Sequence, residues 1–193
     1  IIVSKSLRTS NKRIYAAGDV TKGMGGLTHA AGYHAGKLIQ NFYFSPPFMG
    51  DFLAKANTSS MPAVIYSEPE FASIGITEDK AKELFSKVKC LTWDFDENDR
   101  AISEFSTLGG VKIIANSKGK ILGGSILGEQ AGEIMHLINM AMVNNIKISG
   151  LAKIISPYPT RSEAVKRASS RFYTKILFSN RTKKIAELLS KFH

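Results

Sequence analysis

One cysteine, Cys90, stands among 193 residues, and that scarcity excludes a good deal. A single thiol cannot close an internal disulfide framework or form a dithiol redox motif. Beside Leu91 and Trp93, Cys90 reads as a small strand residue, inert and buried as free cysteines generally are. No run approaches the roughly 18–20 apolar residues that span a bilayer. The opening IIVSKSLRTS has no apolar signal core, and its Ile in place of Met suits a processed or truncated chain; a cytoplasmic location is expected. The four histidines share no metal-ligand spacing with cysteine or carboxylates, so no metal site is expected. A phosphate-binding glycine loop is also missing. In KGMGGLTH the sixth position of G-x-G-x-x-G is Thr28, and ILGGSILG lacks the spacing and reads as a hairpin strand in which Gly marks a bulge.

What is present belongs to an ordinary globular chain. Hydrophobic residues are 44% and charged residues 22%, enough at this length for one core and up to one and a half domains. The net charge is +10, from 26 basic and 16 acidic residues, and it is unevenly placed. From Arg161 to His193 nine Lys and Arg face two acids, whereas the first 160 residues hold 17 basic and 14 acidic. The basicity therefore belongs to a tail and not to the fold. In that tail Ile185, Leu188, Leu189 and Phe192 recur at helical spacing, with Lys183, Lys184 and Lys191 off the stripe. Such a helix either packs back on its own domain or a second subunit, or lies on an anionic membrane or a partner. Nucleic acid is not expected, because no aromatic-interleaved platform accompanies the basic residues.

Residues 1–3 and 14–17 read as strands, and GDV turns out of the second. Residues 28–44 predict a helix whose Ala30, Ala31, Gly32, Ala35 and Gly36 permit close approach to another surface; Pro46 and Pro47 end it. Residues 50–60 look like a connector, which gives an incomplete segment 1–50, a second domain 51–178 and a tail helix 179–193. In the second domain 63–66, 71–76, 88–96, 110–115 and 121–127 carry β-branched and aromatic residues, with a hairpin turn at 116–119. One helix follows Thr77, with Ala81, Leu84 and Phe85 on a face. Another spans 131–144, with Ile134, Leu137, Ile138 and Ala141 at i, i+3, i+4 and i+7. The fold class is α+β, an antiparallel sheet with helices on one side.

Four segments carry a family likeness. IYAAGDV, with the LTH that opens the small-residue helix, resembles the last segment of the FAD-binding domain in the flavoprotein disulfide reductases, the pyridine nucleotide-disulfide oxidoreductases. MPAVIYSEPEFASIGITEDKAKE, GGVKIIANSKGKILGGSILGEQAGEIMHLINMAM and ISPYPTRSEAVKRAS resemble, in family order, the opening, the central hairpin and helix, and the terminal active-site loop of its dimerisation domain. The likeness covers about residues 1–175 and leans to the mercuric reductase-like and dihydrolipoamide dehydrogenase-like branch. It implies an interface domain preceded by the last strand and helix of an FAD-binding domain, and a homodimer through residues 61–175. It also implies an enzyme passing electrons from NAD(P)H through FAD to a small-molecule or disulfide acceptor. Without a Rossmann fingerprint or a redox C-x-x-x-x-C, this chain alone is expected to be catalytically silent. The alternative is a stand-alone dimerisation or interaction module without catalytic activity, associated with membranes through its basic tail.

Two groups of residues carry the expected chemistry. Asp19, after Gly18 at a strand end, either accepts hydrogen bonds from the hydroxyls of a sugar-alcohol chain or caps local backbone; the resemblance assigns it to the ribityl chain of FAD. A helix starting at Leu27, Thr28, His29 and Ala30 aims backbone N–H groups and a partial positive charge at what precedes it; the resemblance puts that terminus at the flavin edge. His29 more naturally packs at the helix start, and His34 has no assigned part. The resemblance places Tyr158 where most relatives have a catalytic His, Glu163 where a Glu orients it, and Ser156 at an earlier position that is often His. A phenol titrates near pH ~10, so Tyr158 is a poor proton shuttle at neutral pH. Tyr158–Pro159 also reads as a rigid interface turn. Mercuric reductases similarly carry Tyr there, but their C-terminal cysteine pair has no counterpart in KKIAELLSKFH.

Overall fold

The structure, a computed structural model, describes residues 1–23, 26–46 and 54–190. They form two compact units, Ile1–Met61 and Pro62–His193. The boundary expected at 50/51 lies outside the described residues, and the units divide later, between Met61 and Pro62.

In the first unit, helix α1 (Thr28–Phe44) has the expected bounds. The expected strands do not form. Residues 5–16 fold back on themselves, with Thr9 N donating to Ile14 O at 3.0 Å and Ala16 N to Leu7 O at 3.0 Å. A lone bridge, Arg8 to Tyr15, is the whole of the sheet pairing among the described residues of this unit. A strand needs a neighbour that takes up its backbone groups, and β-propensity alone does not supply one. Asn41 on α1 ties down the connector through paired amide bonds, Nδ2 to Ala54 O and Ala54 N to Oδ1, both 2.9 Å.

The second unit is built on five strands, β1 (Ala63–Ile65), β2 (Phe71–Gly75), β3 (Val88–Asp94), β4 (Gly110–Asn116) and β5 (Ile121–Leu127). Their order is β1-β2-β5-β4-β3, antiparallel throughout. The β4–β5 turn closes through Asn116, whose Oδ1 accepts from Lys118 N and Lys120 N at 3.0 Å. Pairing runs Val111 to Ile126 and Ile113 to Gly124, then shifts so that Ala115 faces Ile121. Leu122 is the extra residue of that bulge. The bulge lets Ile121 and Ile126 share one face despite their odd separation, because side chains alternate with period two.

That face carries the main core. Ile113, Ile121 and Ile126 meet Ile134 and Ile138 of α4 (Ala131–Val143) and Val165, Ala168 and Phe172 of α6 (Glu163–Leu177), with α5 (Ile148–Lys153) closing one end. Fully burying such aliphatic or aromatic side chains contributes about 1.5–3 kcal/mol each. Ile114 and Leu122, on the other face, pack with Ala81 of α2 (Glu78–Leu84) and with Phe85. The α+β class with an antiparallel sheet therefore holds, with α4 and α6 on one side and α2 over a corner of the other. At Gly75 (φ +74°) a Cβ would lie 2.3 Å from Leu122 O, so only Gly lets β2 leave the sheet there.

The structure adds helices that the residue pattern did not announce: α6, α5 and the short α3 (Asp99–Ser103). On α6 the buried face includes Ala164, Ala168 and Ser169, residues too small or polar to signal a hydrophobic stripe. The expected tail helix appears as α7 (Asn180–Leu189), started by Ser179 Oγ accepting from Thr182 N, and it buries none of its residues. Phe192 and Lys191 lie outside the described residues. Cys90 departs from expectation: it is exposed, and points away from the Leu91 face toward Glu78, Lys112 and Lys82. Burial of its thiol sulfur first, and its bond to Glu78 second, push its pKa above the ordinary value. Among the described residues no helix is long and apolar enough to cross a membrane.

Candidate functional site

The two groups of expected site residues fall in different units. In the first unit, Gly18–Val20 forms one short 3-10 turn. Gly18 has φ +69°, and a Cβ on it would sit 3.0 Å from the Ala31 methyl, so the turn lies directly against the first turns of α1. His34, fully buried, accepts from Gly18 N at Nδ1 (3.1 Å). Burial lowers its pKa, which keeps the imidazole neutral and Nδ1 able to accept. This histidine is a structural latch. Thr21 Oγ1 also donates to Gly18 O at 2.6 Å.

The latch leaves Asp19 exposed, and its carboxylate has no hydrogen bond among the described residues. Leu27 precedes α1 without a side-chain cap on the first turn. Thr28 and His29 are exposed, while Ala30 is buried. An exposed carboxylate and an uncapped helix start thus flank one turn, a geometry able to bind hydroxyls on one side and electron-rich groups on the other.

In the second unit, the loop 156–163 is fastened by residues from distant elements. Arg161 is 3% exposed. Its Nε donates to Glu104 at 2.9 Å, one terminal nitrogen to Ser106 O at 3.0 Å and the other to Glu129 at 2.9 Å. The Arg100 and Arg161 guanidiniums, in that order, hold the Glu104 carboxyl below its ordinary pKa. Buried Asn98 caps α3 by accepting from Ala101 N, and donates through Nδ2 to Thr160 O at 3.1 Å. Within the loop Thr160 Oγ1 donates to Pro157 O at 2.9 Å.

So fixed, the loop presents Tyr158 68% exposed. Its hydroxyl donates to Asp99 Oδ2 at 2.6 Å, and that bond raises the phenol's pKa above 10. Glu163 does not bond Tyr158. Its carboxylate accepts from Arg167 at 2.8–2.9 Å. The structure thus sets both residues in one loop but gives each its own partner, and Asp99 orients the phenol. Beyond Glu163 an open groove of about 480 Å³ runs along α6 beside Trp93, with the Arg171 and Arg167 guanidiniums 4.7 and 5.7 Å from the indole centre. Asn98, Asp99 and Arg161 were not anticipated. The one local signal was Asn98 three residues before Ala101, a helix-cap spacing. Among the described residues no cluster of His, Cys, Asp or Glu is placed to hold a metal ion.

Residues 61–169 match the family model for the pyridine nucleotide-disulphide oxidoreductase dimerisation domain. The chain belongs to that family. Mercuric reductase of Bacillus cereus is 32% identical over 173 residues, which cover 89% of this chain and 26% of the relative. Dihydrolipoyl dehydrogenase of Bacillus subtilis is 32% identical over 166 residues, 86% of this chain and 34% of the relative. The chain therefore spans about a quarter to a third of the curated relatives it matches. Among solved structures, LpdA from Mycobacterium tuberculosis superposes with TM-score 0.74 at 25% identity, covering 88% of this chain and 36% of that one. The HOCl-induced flavoprotein disulfide reductase RclA from Escherichia coli gives 0.75 at 25% identity, over 87% and 38%. The disulfide reductase family thus accounts for the sheet, for α4 and for the loop that opens α6, while residues beyond 169 lie outside the matched domain.

Proposed function

We propose that this chain supplies the dimer interface and part of the partner subunit's active site in an FAD-dependent NAD(P)H oxidoreductase of the disulfide reductase family. On this reading residues 1–50 are the closing segment of an FAD-binding domain, 51–178 the interface domain and 179–193 an added tail. The observation that carries it is the loop 156–163, anchored by Arg161 and Asn98 yet presenting Tyr158 outward. A rigid loop that displays an aromatic hydroxyl away from its own core suits a site completed across a two-fold axis.

The first unit fits a flavin. Gly18 and Asp19 would accept the ribityl chain, and Leu27, Thr28, His29 and Ala30 would bring the start of α1 to the isoalloxazine edge. The flavin, when bound, supplies two-electron storage between nicotinamide and acceptor. At that edge the backbone N–H groups of the first α1 turn favour negative charge. Gly18, held by His34, sets the distance between Asp19 and that turn. On the acceptor side, Tyr158 donates its single O–H to Asp99, which leaves only its oxygen lone pairs to face the acceptor; a phenol so held does not serve as a base near pH 7. Glu163, neutralised by Arg167, sets the start of α6. That chemistry favours an acceptor, a small molecule or a disulfide, whose reduction does not rely on this loop for its proton.

The homodimer is the direct test. Light scattering on the purified chain should give twice the 21.1 kDa chain mass across a wide concentration range. A mass of one chain at every concentration would remove the interface role. The same preparation should hold FAD weakly or not at all, since no pyrophosphate loop accompanies Asp19.

A further inference from the structure

A second surface lies at the C-terminal end of the second unit. The family domain ends at residue 169, and the chain continues through the last turns of α6 into α7. Along that stretch Ile176, Leu177, Phe178, Ile185, Leu188 and Leu189 are 49–72% exposed. Ile185, Leu188 and Leu189 recur at i, i+3 and i+4 and so share one face of α7. Among the described residues Lys175, Arg181, Lys183 and Lys184 form no ion pair, and Glu187 is the lone acid from 175 to 190. The helix is therefore apolar on one side, cationic around it, and buried against nothing in its own unit.

We infer that the α6–α7 end docks on an anionic lipid surface, with Ile185, Leu188 and Leu189 entering the headgroup–acyl boundary and the lysines among the headgroups. Charge selects this occupant. A second copy would bring four unpaired cations against four more. A nucleic acid would meet the cations and leave the apolar side chains in water. A negatively charged bilayer meets both at once, since buried apolar area and attraction to anionic lipid add for a helix lying in the interface.

Vesicle co-sedimentation of the full chain tests this. Vesicles with about one-third anionic lipid should pellet the protein, neutral phosphatidylcholine vesicles should not, and added salt should release it. Lys183→Ala with Lys184→Ala should weaken binding on the order of thirtyfold, from about fivefold per cation. Leu188→Ser with Leu189→Ser should weaken it by at least about tenfold. Both pairs change exposed side chains, so an unaltered thermal midpoint and far-ultraviolet spectrum verify the fold. Absence of pelleting, or equal pelleting with neutral and anionic vesicles, overturns the inference. It is overturned too if, without lipid, the chain is a dimer that the leucine variant converts to monomer, which would give the stripe to a second copy. A dimer indifferent to that variant leaves the interface-domain reading intact and separate from the lipid result.

Discussion

Replacing Arg161 by Met keeps most of the side chain's bulk and removes its charge. Arg161 is 3% exposed, and its guanidinium makes three hydrogen bonds of 2.9–3.0 Å, two to carboxylates and one to a backbone carbonyl. Bonds to charged groups contribute about 1.5–3 kcal/mol each when buried. Here the Glu104 and Glu129 side chains remain 29% and 44% exposed, so water recovers much of what they lose. Arg161→Met should therefore cost about 2–3 kcal/mol, a drop of roughly 5–10 °C in the thermal midpoint of a domain this size. Melting followed by circular dichroism measures it, and limited proteolysis should find new cutting within 156–163. The pH dependence carries a sign. Glu104 is held below its ordinary 4.5, chiefly by Arg100 and secondarily by Arg161. The stability it contributes is complete above 4.5 and is lost as pH falls through the lowered folded value. The variant should lose part of that acid sensitivity and keep the larger share owed to Arg100. A midpoint within about 1 °C of the parent at pH 7, with the loop still protected, would refute the anchoring role.

Three other outcomes are expected. Asp99→Asn should return the Tyr158 phenol toward its ordinary 10, read as ultraviolet difference titration with Tyr158→Phe as the blank; an unchanged titration would mean Asp99 does not hold the hydroxyl. Gly18→Ala should destabilise the first unit by about 1–2 kcal/mol, because φ +69° is costly for an L-residue and its methyl would press the Ala31 methyl; full tolerance by hydrogen exchange would contradict the turn geometry. Cys90 should alkylate slowly at pH 7 and faster in Glu78→Gln, since burial first and the Glu78 bond second raise its pKa. Glu78 itself, at about 2 through its bonds to Lys112 and Lys82, contributes stability that is complete above 4.5 and lost as pH falls through 2.

Local chemistry explains what could be read in advance. The five strands stood out because their segments carry β-branched and aromatic residues and because NSKG fits a tight turn. Helix α1 stood out because Thr28 opens a small-residue run that Pro46 cannot continue. The four family segments and their order needed only the one-dimensional string. Residues 14–17 misled because strand propensity is a statement about side chains, whereas a strand exists only where another backbone pairs with it. Helix α6 was missed because its buried face is mainly Ala and Ser.

The string thus determined the fold class, the family and the amphipathic character of the tail, each a property of neighbouring residues or of motif order. Tertiary structure alone decided which groups hold the site. Arg161 is 57 residues from Glu104 and 32 from Glu129, Asp99 is 59 from Tyr158, and His34 is 16 from Gly18. A charge or polar atom becomes an anchor only when burial strips its water and a particular partner replaces it, and no local pattern encodes which distant partner that is. The same reason leaves α7 to the fold: periodicity made it amphipathic, and only packing left its apolar face uncovered.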